Sequence, residues 1–207
     1  MNKILDIELE DLPPAAQGPI LFLGRTLKNP MQVCSLFPSS PFVGRAMTWA
    51  IADRPETHVI ELGGGTGAVT RQLLRSGLGA ENLTVLEIDS LLGGHLRRTF
   101  PDLDVVIAPA QDLAGLWRER NGPPVGAIVS TLPMRLFKRK MVRNIMRNCV
   151  SVLAPGGVFV QFTYRQDSPV PEHIARSMGL STQRRSRVWV NLPPAGIWVY
   201  RKPLGRA

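Results

Sequence analysis

From position 58 onward, hydrophobic residues form short continuous runs that alternate with segments in which they recur every three or four positions. The runs are HVIEL (58–62), LTVLEI (83–88), DVVIA (104–108), GAIVST (126–131) and VFVQFTY (158–164). Runs that are apolar on both faces are typical of buried parallel strands. The intervening spacing is typical of amphipathic helices, including one with Leu92 and Leu96 that Ser90 is expected to cap. The alternation predicts a parallel sheet covered by helices.

Both ends of the chain depart from this alternation. Near the carboxyl end, RVWVNLPPAGIWVYRK (187–202) has two strand-like runs joined by LPPAG, which predicts an antiparallel hairpin at the edge of the sheet. Before the first strand, Pro41 is expected to begin a helix whose apolar face extends to Ile51. Further upstream, residues 20–29 combine leucines with Arg25 and Lys28, which predicts an amphipathic segment.

Length and composition limit the class of protein. At 207 residues and 22.8 kDa, the chain has room for one well-buried domain with a terminal extension. No apolar run approaches the roughly 18 to 20 residues that a membrane-spanning helix needs. The acidic amino-terminal segment does not resemble a secretory signal, so a cytoplasmic protein is expected. The two cysteines and three histidines lack the spacing of a metal site, so no metal is expected.

The net charge is strongly positive, at a formal +9 with a sequence pI near 10.5. The basic residues are concentrated in two stretches: Arg135, Lys138, Arg139, Lys140, Arg143 and Arg147, then Arg184, Arg185 and Arg187. Such a surface attracts anions, and both RNA and anionic lipid qualify. Each cluster could equally be a solvated face, so charge by itself leaves the partner open.

The segment ELGGGTG (61–67) has the features of a ligand-binding turn. Closely spaced glycines between a strand and a helix let the backbone approach a ligand, and the helix start offers free N–H groups. Gly63, Gly65 and Ala68 also match the dinucleotide fingerprint, with Glu87 placed for a ribose hydroxyl. Glu61, directly before the glycines, would repel a pyrophosphate and attract the amino group of a methionine. This acid favours S-adenosylmethionine over a dinucleotide.

Five motifs, ELGGGTG, LEID, APAQDL, STLP and LAPGG, follow one another between residues 57 and 162. In this order they resemble the class I S-adenosylmethionine-dependent methyltransferases. The resemblance implies a Rossmann-like α/β fold: a mostly parallel seven-stranded sheet with helices on both faces, an antiparallel C-terminal edge hairpin and an N-terminal helical extension. It implies a methyltransferase domain at residues 57–207, and an extension at residues 1–56 that contacts the membrane and closes over the active site.

The segment FLGRTLKNPMQVCSLFPSSPFVGRAM (22–47) resembles the amino-terminal region of bacterial phospholipid N-methyltransferases. Those enzymes convert phosphatidylethanolamine to phosphatidylcholine, so this activity, including the mono- and dimethyl forms, is the expected one. The core is also similar to the rRNA adenine dimethyltransferases, and rRNA adenine N6-methylation is the alternative. Those relatives usually carry a further helical domain and an aromatic residue in the loop that corresponds to STLP.

The resemblance assigns cofactor contacts residue by residue. Glu61, Gly63, Gly65 and Gly67 would hold the methionine and ribose parts, Glu87 would bind the ribose hydroxyls, and Ile88 would pack on the adenine. Pro109 stands where many relatives have an acid, and it has no N–H to donate. Recognition of the adenine edge is therefore expected from Ala110, Gln111 and Asp112. Asp112 could equally be the N-cap of the helix that follows.

The acceptor side is expected at STLP (130–133), after the fourth strand. In N-methyltransferases the corresponding loop offers backbone carbonyls to the acceptor amine, which implies roles for Ser130, Thr131 and Leu132, with Ser130 also near the cofactor. The amine must be neutral to react, since an alkylammonium has a pKa of about 10. Tyr164 is the candidate to accept its proton or steady the resulting cation.

The expected partners are the phosphatidylethanolamine substrate and an anionic membrane surface. Residues 20–29 would lie in the headgroup layer as an N-terminal amphipathic helix, and the basic clusters would add electrostatic attraction. The protein is accordingly expected at the cytoplasmic face of the membrane as a peripheral protein, and nucleic acid is not expected as a partner.

Overall fold

The computed structural model describes residues 3–4, 7–8, 41–52, 57–188 and 195–205. Residues 20–29, the expected amphipathic segment, lie outside these ranges. Lys3–Ile4 and Ile7–Glu8 form a short antiparallel pair. The other strands form one sheet: β1 (His58–Leu62), β2 (Leu83–Glu87), β3 (Asp104–Ile107), β4 (Val125–Ser130), β5 (Leu153–Thr163), β6 (Ser181–Val188) and β7 (Ala195–Arg201).

The seven strands are ordered β3-β2-β1-β4-β5-β7-β6. Strands β1 to β5 are parallel, whereas β7 runs antiparallel to both β5 and β6. This confirms the predicted mostly parallel sheet with an antiparallel C-terminal edge hairpin. The strand order reverses beside β1, and in open α/β sheets such a reversal opens a crevice at the carboxyl ends of the strands.

Helices cover both faces of the sheet. They are α1 (Pro41–Trp49), α2 (Ala68–Arg75), α3 (Ser90–Thr99), α4 (Leu113–Glu119), α5 (Arg139–Val152) and α6 (Glu172–Ser177). Residues of α1, α2 and α3 pack on one face of the sheet and those of α4, α5 and α6 on the other, giving two hydrophobic clusters. Among the described residues, no helix combines the length and apolar character needed to cross a bilayer.

Three sequence-based details are corrected by the structure. The N-cap of α3 is Asp89 rather than Ser90, because the Asp89 carboxylate accepts hydrogen bonds from the N–H groups of Leu91 (2.9 Å) and Leu92 (3.1 Å). Strand β5 begins at Leu153, five residues earlier than the apolar run predicts. Strand β6 begins at Ser181 and lies largely in the polar segment STQRRSRV.

Candidate active site

The glycine turn between β1 and α2 contains three left-handed glycines. Gly63, Gly65 and Gly67 have φ values of +80°, +55° and +80°, which side chains of L residues rarely adopt. A Cβ on Gly63 would lie 2.9 Å from Thr131 Oγ1, and one on Gly67 would lie 2.5 Å from the Phe100 ring. A Cβ on Gly65 would meet no atom within 4 Å. The turn is therefore packed tightly at its two ends and open at its middle, where backbone can face a ligand.

Glu87, the last residue of β2, is connected directly to this turn. One carboxylate oxygen accepts the Gly65 N–H at 2.8 Å, and the other accepts the Asp89 N–H at 2.9 Å. The side chain is 6% exposed, and burial raises the pKa of its carboxyl, although these backbone donors act in the opposite direction. Ile88 follows, with 63% of its surface exposed. A buried acceptor beside an exposed aliphatic side chain fits a ribose followed by a flat base.

Glu61 is fully buried beneath the glycine turn. Its Oε2 accepts the Thr70 hydroxyl at 2.7 Å, while its Oε1 has no hydrogen-bond partner among the described residues. Burial raises the pKa of its carboxyl to about 8, and the nearby charge of Glu87 adds to this effect. A cation that binds at this turn stabilises the ionised form of these carboxyls, whereas a pyrophosphate opposes it, so the two acids favour a cationic ligand. The two carboxyls therefore fit S-adenosylmethionine, which carries a sulfonium and an ammonium group.

The segment expected at the adenine edge lies beside the end of β2, since the Ala108 N–H donates to the Glu87 carbonyl at 3.1 Å. Ala110, Gln111 and Asp112 form a short 3-10 turn. Ala110 is buried, Gln111 is half-buried and Asp112 is exposed. Asp112 occupies the N-cap position of α4, but its side chain makes no capping hydrogen bond. Its carboxylate is thus available for a role other than capping.

The acceptor loop after β4 contacts the glycine turn directly. The Thr131 N–H donates to the Leu62 carbonyl at 3.0 Å, and its hydroxyl donates to the Gly63 carbonyl. Ser130 is fully buried, and its hydroxyl accepts the Leu132 N–H at 3.3 Å. The structure therefore brings the predicted acceptor residues against the predicted cofactor turn.

Gln161 holds the acceptor loop from the neighbouring strand. Its amide Nε2 donates to the Leu132 carbonyl at 2.8 Å and to the Phe162 carbonyl at 3.1 Å. The side chain is 1% exposed, and its Oε1 has no hydrogen-bond partner among the described residues. The same carbonyl also accepts the Met134 N–H at 2.8 Å, so both of its lone pairs are used and Gln161 fixes the position of the acceptor loop.

Tyr164 follows β5 and lies on the other face of the sheet. Its ring meets Phe162 edge-on at 5.5 Å and packs with the cluster that α1 and α2 cover. Leu132 packs instead with the cluster on the α5 face. Tyr164 is therefore at the same end of the sheet as the acceptor loop but across the sheet from Leu132. Its role toward the amine stays a prediction.

Sequence reasoning missed Gln161 and Thr70, the two side chains that hold the predicted residues in place. Gln161 is the amide in the otherwise apolar run VFVQF. A polar residue inside a buried strand needs a hydrogen-bond partner, so its presence there indicates a specific contact. Thr70 lies in the first turn of α2, one helical turn past the glycines. Its pairing with Glu61 carries no sequence signal, because it depends on how α2 packs on β1.

Comparison with known proteins adds to this geometry. A methyltransferase domain model matches residues 59–157. An ornithine lipid N-methyltransferase from Singulisphaera acidiphila is 34% identical over 146 residues, which are 69% of this chain and 76% of that protein. A ribosomal RNA small subunit methyltransferase A from Salinibacter ruber is 34% identical over 89 residues, but these span 42% of this chain and 29% of that protein.

Among solved structures, the fold is similar to the N-methyltransferase NodS from Bradyrhizobium japonicum in complex with S-adenosylhomocysteine. The TM-score is 0.64 at 16% sequence identity, and the match covers 90% of this chain and 99% of that one. Such low identity shows the shared fold alone. The glycine turn, the buried Glu87 and the extended match to a lipid N-methyltransferase agree with this fold. The chain belongs to the class I S-adenosylmethionine-dependent methyltransferases.

Proposed function

We propose that this methyltransferase transfers methyl groups to the amine of a membrane lipid headgroup, namely phosphatidylethanolamine and its mono- and dimethyl forms, toward phosphatidylcholine. The observation that carries the proposal is the 34% identity, over 69% of the chain, to a protein described as a lipid N-methyltransferase. That relative is an N-methyltransferase of ornithine lipid, so its methyl acceptor is also a lipid nitrogen. The resemblance of residues 22–47 to phospholipid N-methyltransferases favours phosphatidylethanolamine.

The cofactor supplies a methyl group on a sulfonium, which is a good leaving group, so the protein's main task is positioning. Glu87, held by the N–H groups of Gly65 and Asp89, is placed for the ribose. Thr131 ties the cofactor turn to the acceptor loop through the Gly63 carbonyl. The distance between cofactor and acceptor is then fixed by one hydrogen-bonded unit, which keeps the reacting atoms in near-attack geometry.

The acceptor amine reacts only when it is neutral. A backbone carbonyl of the acceptor loop, whose position Gln161 fixes, can accept an N–H of that amine and direct its lone pair toward the methyl group.

The alternative, methylation of adenine in rRNA, is less well supported. Met134 directly follows STLP. The related RNA enzymes have an aromatic side chain at this position, and it stacks on the base. Met134 is 2% exposed and packs in the hydrophobic cluster beneath the loop. It therefore offers no surface for a flipped base, and the match to the rRNA methyltransferase spans 29% of that protein.

The test is transfer of a labelled methyl group from S-adenosylmethionine, with phosphatidylethanolamine vesicles, ornithine lipid vesicles and rRNA offered in parallel. We expect label in phosphatidylethanolamine that a Glu87→Ala change greatly reduces. Glu81→Ala, an exposed acid before β2, is the matched control and should keep full activity. Label only in ornithine lipid would correct the substrate, and label only in RNA would overturn the lipid proposal.

Membrane association at the cytoplasmic face is part of the proposal, since a lipid headgroup must be reached from the aqueous side. Residues 20–29 are the proposed amphipathic anchor. Removal of residues 1–30 should weaken cosedimentation with anionic vesicles. Normal vesicle binding by the truncated protein would refute this anchor while leaving the proposed activity intact.

A further inference from the structure

A group of exposed cations follows the acceptor loop directly. We use the term α5 rim for Arg135, Lys138, Arg139 and Lys140, which lie between the loop and the first turn of α5. All four residues are exposed. Because α5 begins at the end of the sheet where β4 ends, the rim borders the acceptor side of the site.

Among the described residues, three of the four rim cations have no acidic partner. The sequence between Glu119 and Asp167 contains eight basic residues and no acidic one. Asp167 forms an ion pair with Arg135 at 2.6 Å and also contacts Arg165. Among the described residues, no acidic side chain forms an ion pair with Lys138, Arg139 or Lys140. Within the described part of the chain, these three cations therefore face solvent without a counter-charge.

This charge arrangement does not help the helix. The N-terminus of a helix carries a partial positive charge, so acids in the first turn stabilise it and cations destabilise it. The first turn of α5 contains no acid, and Lys138 at the N-cap position makes no side-chain capping bond. Folding gains nothing from three cations at this position, which points to a partner outside the chain.

Exposed aliphatic side chains accompany the rim. Leu136 is 58% exposed in the short turn Met134–Leu136. Met141 is 38% exposed in the first turn of α5. Cations beside exposed aliphatic residues match the headgroup region of a bilayer, where cations meet phosphates and apolar side chains enter the acyl boundary. Single-stranded RNA would instead favour exposed aromatic stacking surfaces, whereas Phe137, the aromatic residue within residues 135–140, is half-buried and packs on the hydrophobic cluster.

We infer that the α5 rim docks on anionic lipid headgroups and brings the acceptor loop to the bilayer surface. This inference rests on the proposed function, because docking matters for catalysis only if the acceptor loop receives a membrane lipid as its substrate. The rim is a second contact, separate from residues 20–29. The substrate amine then comes from a lipid in the same membrane surface to which the rim binds.

The test compares two variants that each remove three positive charges. Lys138→Gln, Arg139→Gln and Lys140→Gln together form the rim variant. Arg75→Gln, Arg98→Gln and Arg118→Gln form the control, since these arginines are exposed in α2, α3 and α4. Binding is measured by cosedimentation with phosphatidylcholine vesicles that contain phosphatidylglycerol, and with pure phosphatidylcholine vesicles.

We expect the rim variant to bind the anionic vesicles about 100-fold more weakly than the wild type, since each cation near such a surface contributes roughly a fivefold factor. The control should bind like the wild type, and thermal unfolding should show that the rim variant is at least as stable. Leu136→Ser should weaken binding further without a change in charge. Equal binding by the rim variant and the wild type, or an equal loss in the control, would overturn the inference.

Methyl transfer to a short-chain, monomeric phosphatidylethanolamine separates this inference from the proposed function. The rim variant should keep this transfer while losing transfer to anionic vesicles. If the wild type methylates no lipid but the rim variant still loses vesicle binding, the proposed substrate is wrong and the docking surface stands. Loss of rRNA binding by the rim variant, without loss of vesicle binding, would contradict the lipid partner.

Discussion

Glu61 should give the protein a stability that decreases with rising pH. Its carboxyl is fully buried, and burial raises its pKa from 4.5 to about 8. In the unfolded chain the carboxyl returns to its ordinary value. Between these two pKa values the folded protein holds a proton that the unfolded chain has lost. The contribution of this group is therefore fully present below about pH 4.5 and is lost as the pH rises toward 8.

The size of this effect follows from the two pKa values. The difference between 4.5 and about 8 corresponds to about 5 kcal/mol at 1.36 kcal/mol per pKa unit. Roughly 3 to 4 kcal/mol of this falls between about pH 5 and pH 8, the range in which most of the titration difference develops. This is a large part of the 5 to 15 kcal/mol that typically separates folded from unfolded protein.

The assay is urea unfolding of the wild type and Glu61→Gln at a series of pH values from about 5 to 8. Glutamine does not titrate and keeps an oxygen for the Thr70 hydroxyl, so it removes the pH dependence while preserving the packing. The free energy of unfolding of the variant, relative to the wild type, should rise by roughly 3 to 4 kcal/mol across the series. The absolute difference at one pH also includes the extra amide hydrogens, so the slope is the quantity to compare.

Glu81→Gln provides the control, because Glu81 is exposed and its replacement should leave the slope unchanged. A constant difference between Glu61→Gln and the wild type would refute the reasoning. If Glu61 also meets the ammonium of the cofactor, it should lose its proton when the cofactor binds near pH 7. Calorimetry in two buffers of different ionisation enthalpy would detect that release, and Glu61→Gln should not show it.

Three further substitutions test the site. Glu87→Gln should weaken cofactor binding by about 10- to 100-fold in calorimetry, since hydrogen bonds to charged groups contribute roughly 1.5 to 3 kcal/mol; unchanged affinity would contradict its role. Gly63→Ala should lower the free energy of unfolding by about 1 to 2 kcal/mol or more, because of its φ of +80° and the contact with Thr131. Gly115→Ala, whose Cβ meets no atom within 4 Å, should not destabilise the protein, and equal losses in the two would refute this explanation. Gln161→Leu should lower kcat by about tenfold or more while cofactor affinity is retained; a change confined to KM would exclude a role in positioning the acceptor loop.

Much of the site could be predicted from sequence because its elements are local. The glycines, Glu61 and Glu87 each lie next to a strand end that the apolar runs reveal, so their positions at one edge of the sheet follow from the parallel alternation. The contacts that hold them together could not be predicted. Thr131 contacts Gly63 across 68 residues, and Gln161 contacts Leu132 across 29. Hydrophobic periodicity shows which face of an element is buried, but it does not identify the residue on the neighbouring strand.

The sequence by itself determined the parallel core, the glycine turn and the cofactor class, because buried strands and tight turns restrict residue types strongly. The tertiary structure decided the extent of the edge strand β6, whose polar sequence STQRRSRV carries no apolar alternation. Its strand conformation depends instead on backbone pairing with β7. Tertiary packing likewise decided that Glu61 is buried with a raised pKa and that the α5 rim borders the acceptor loop. Burial and proximity depend on how distant segments pack together, and no local pattern encodes them.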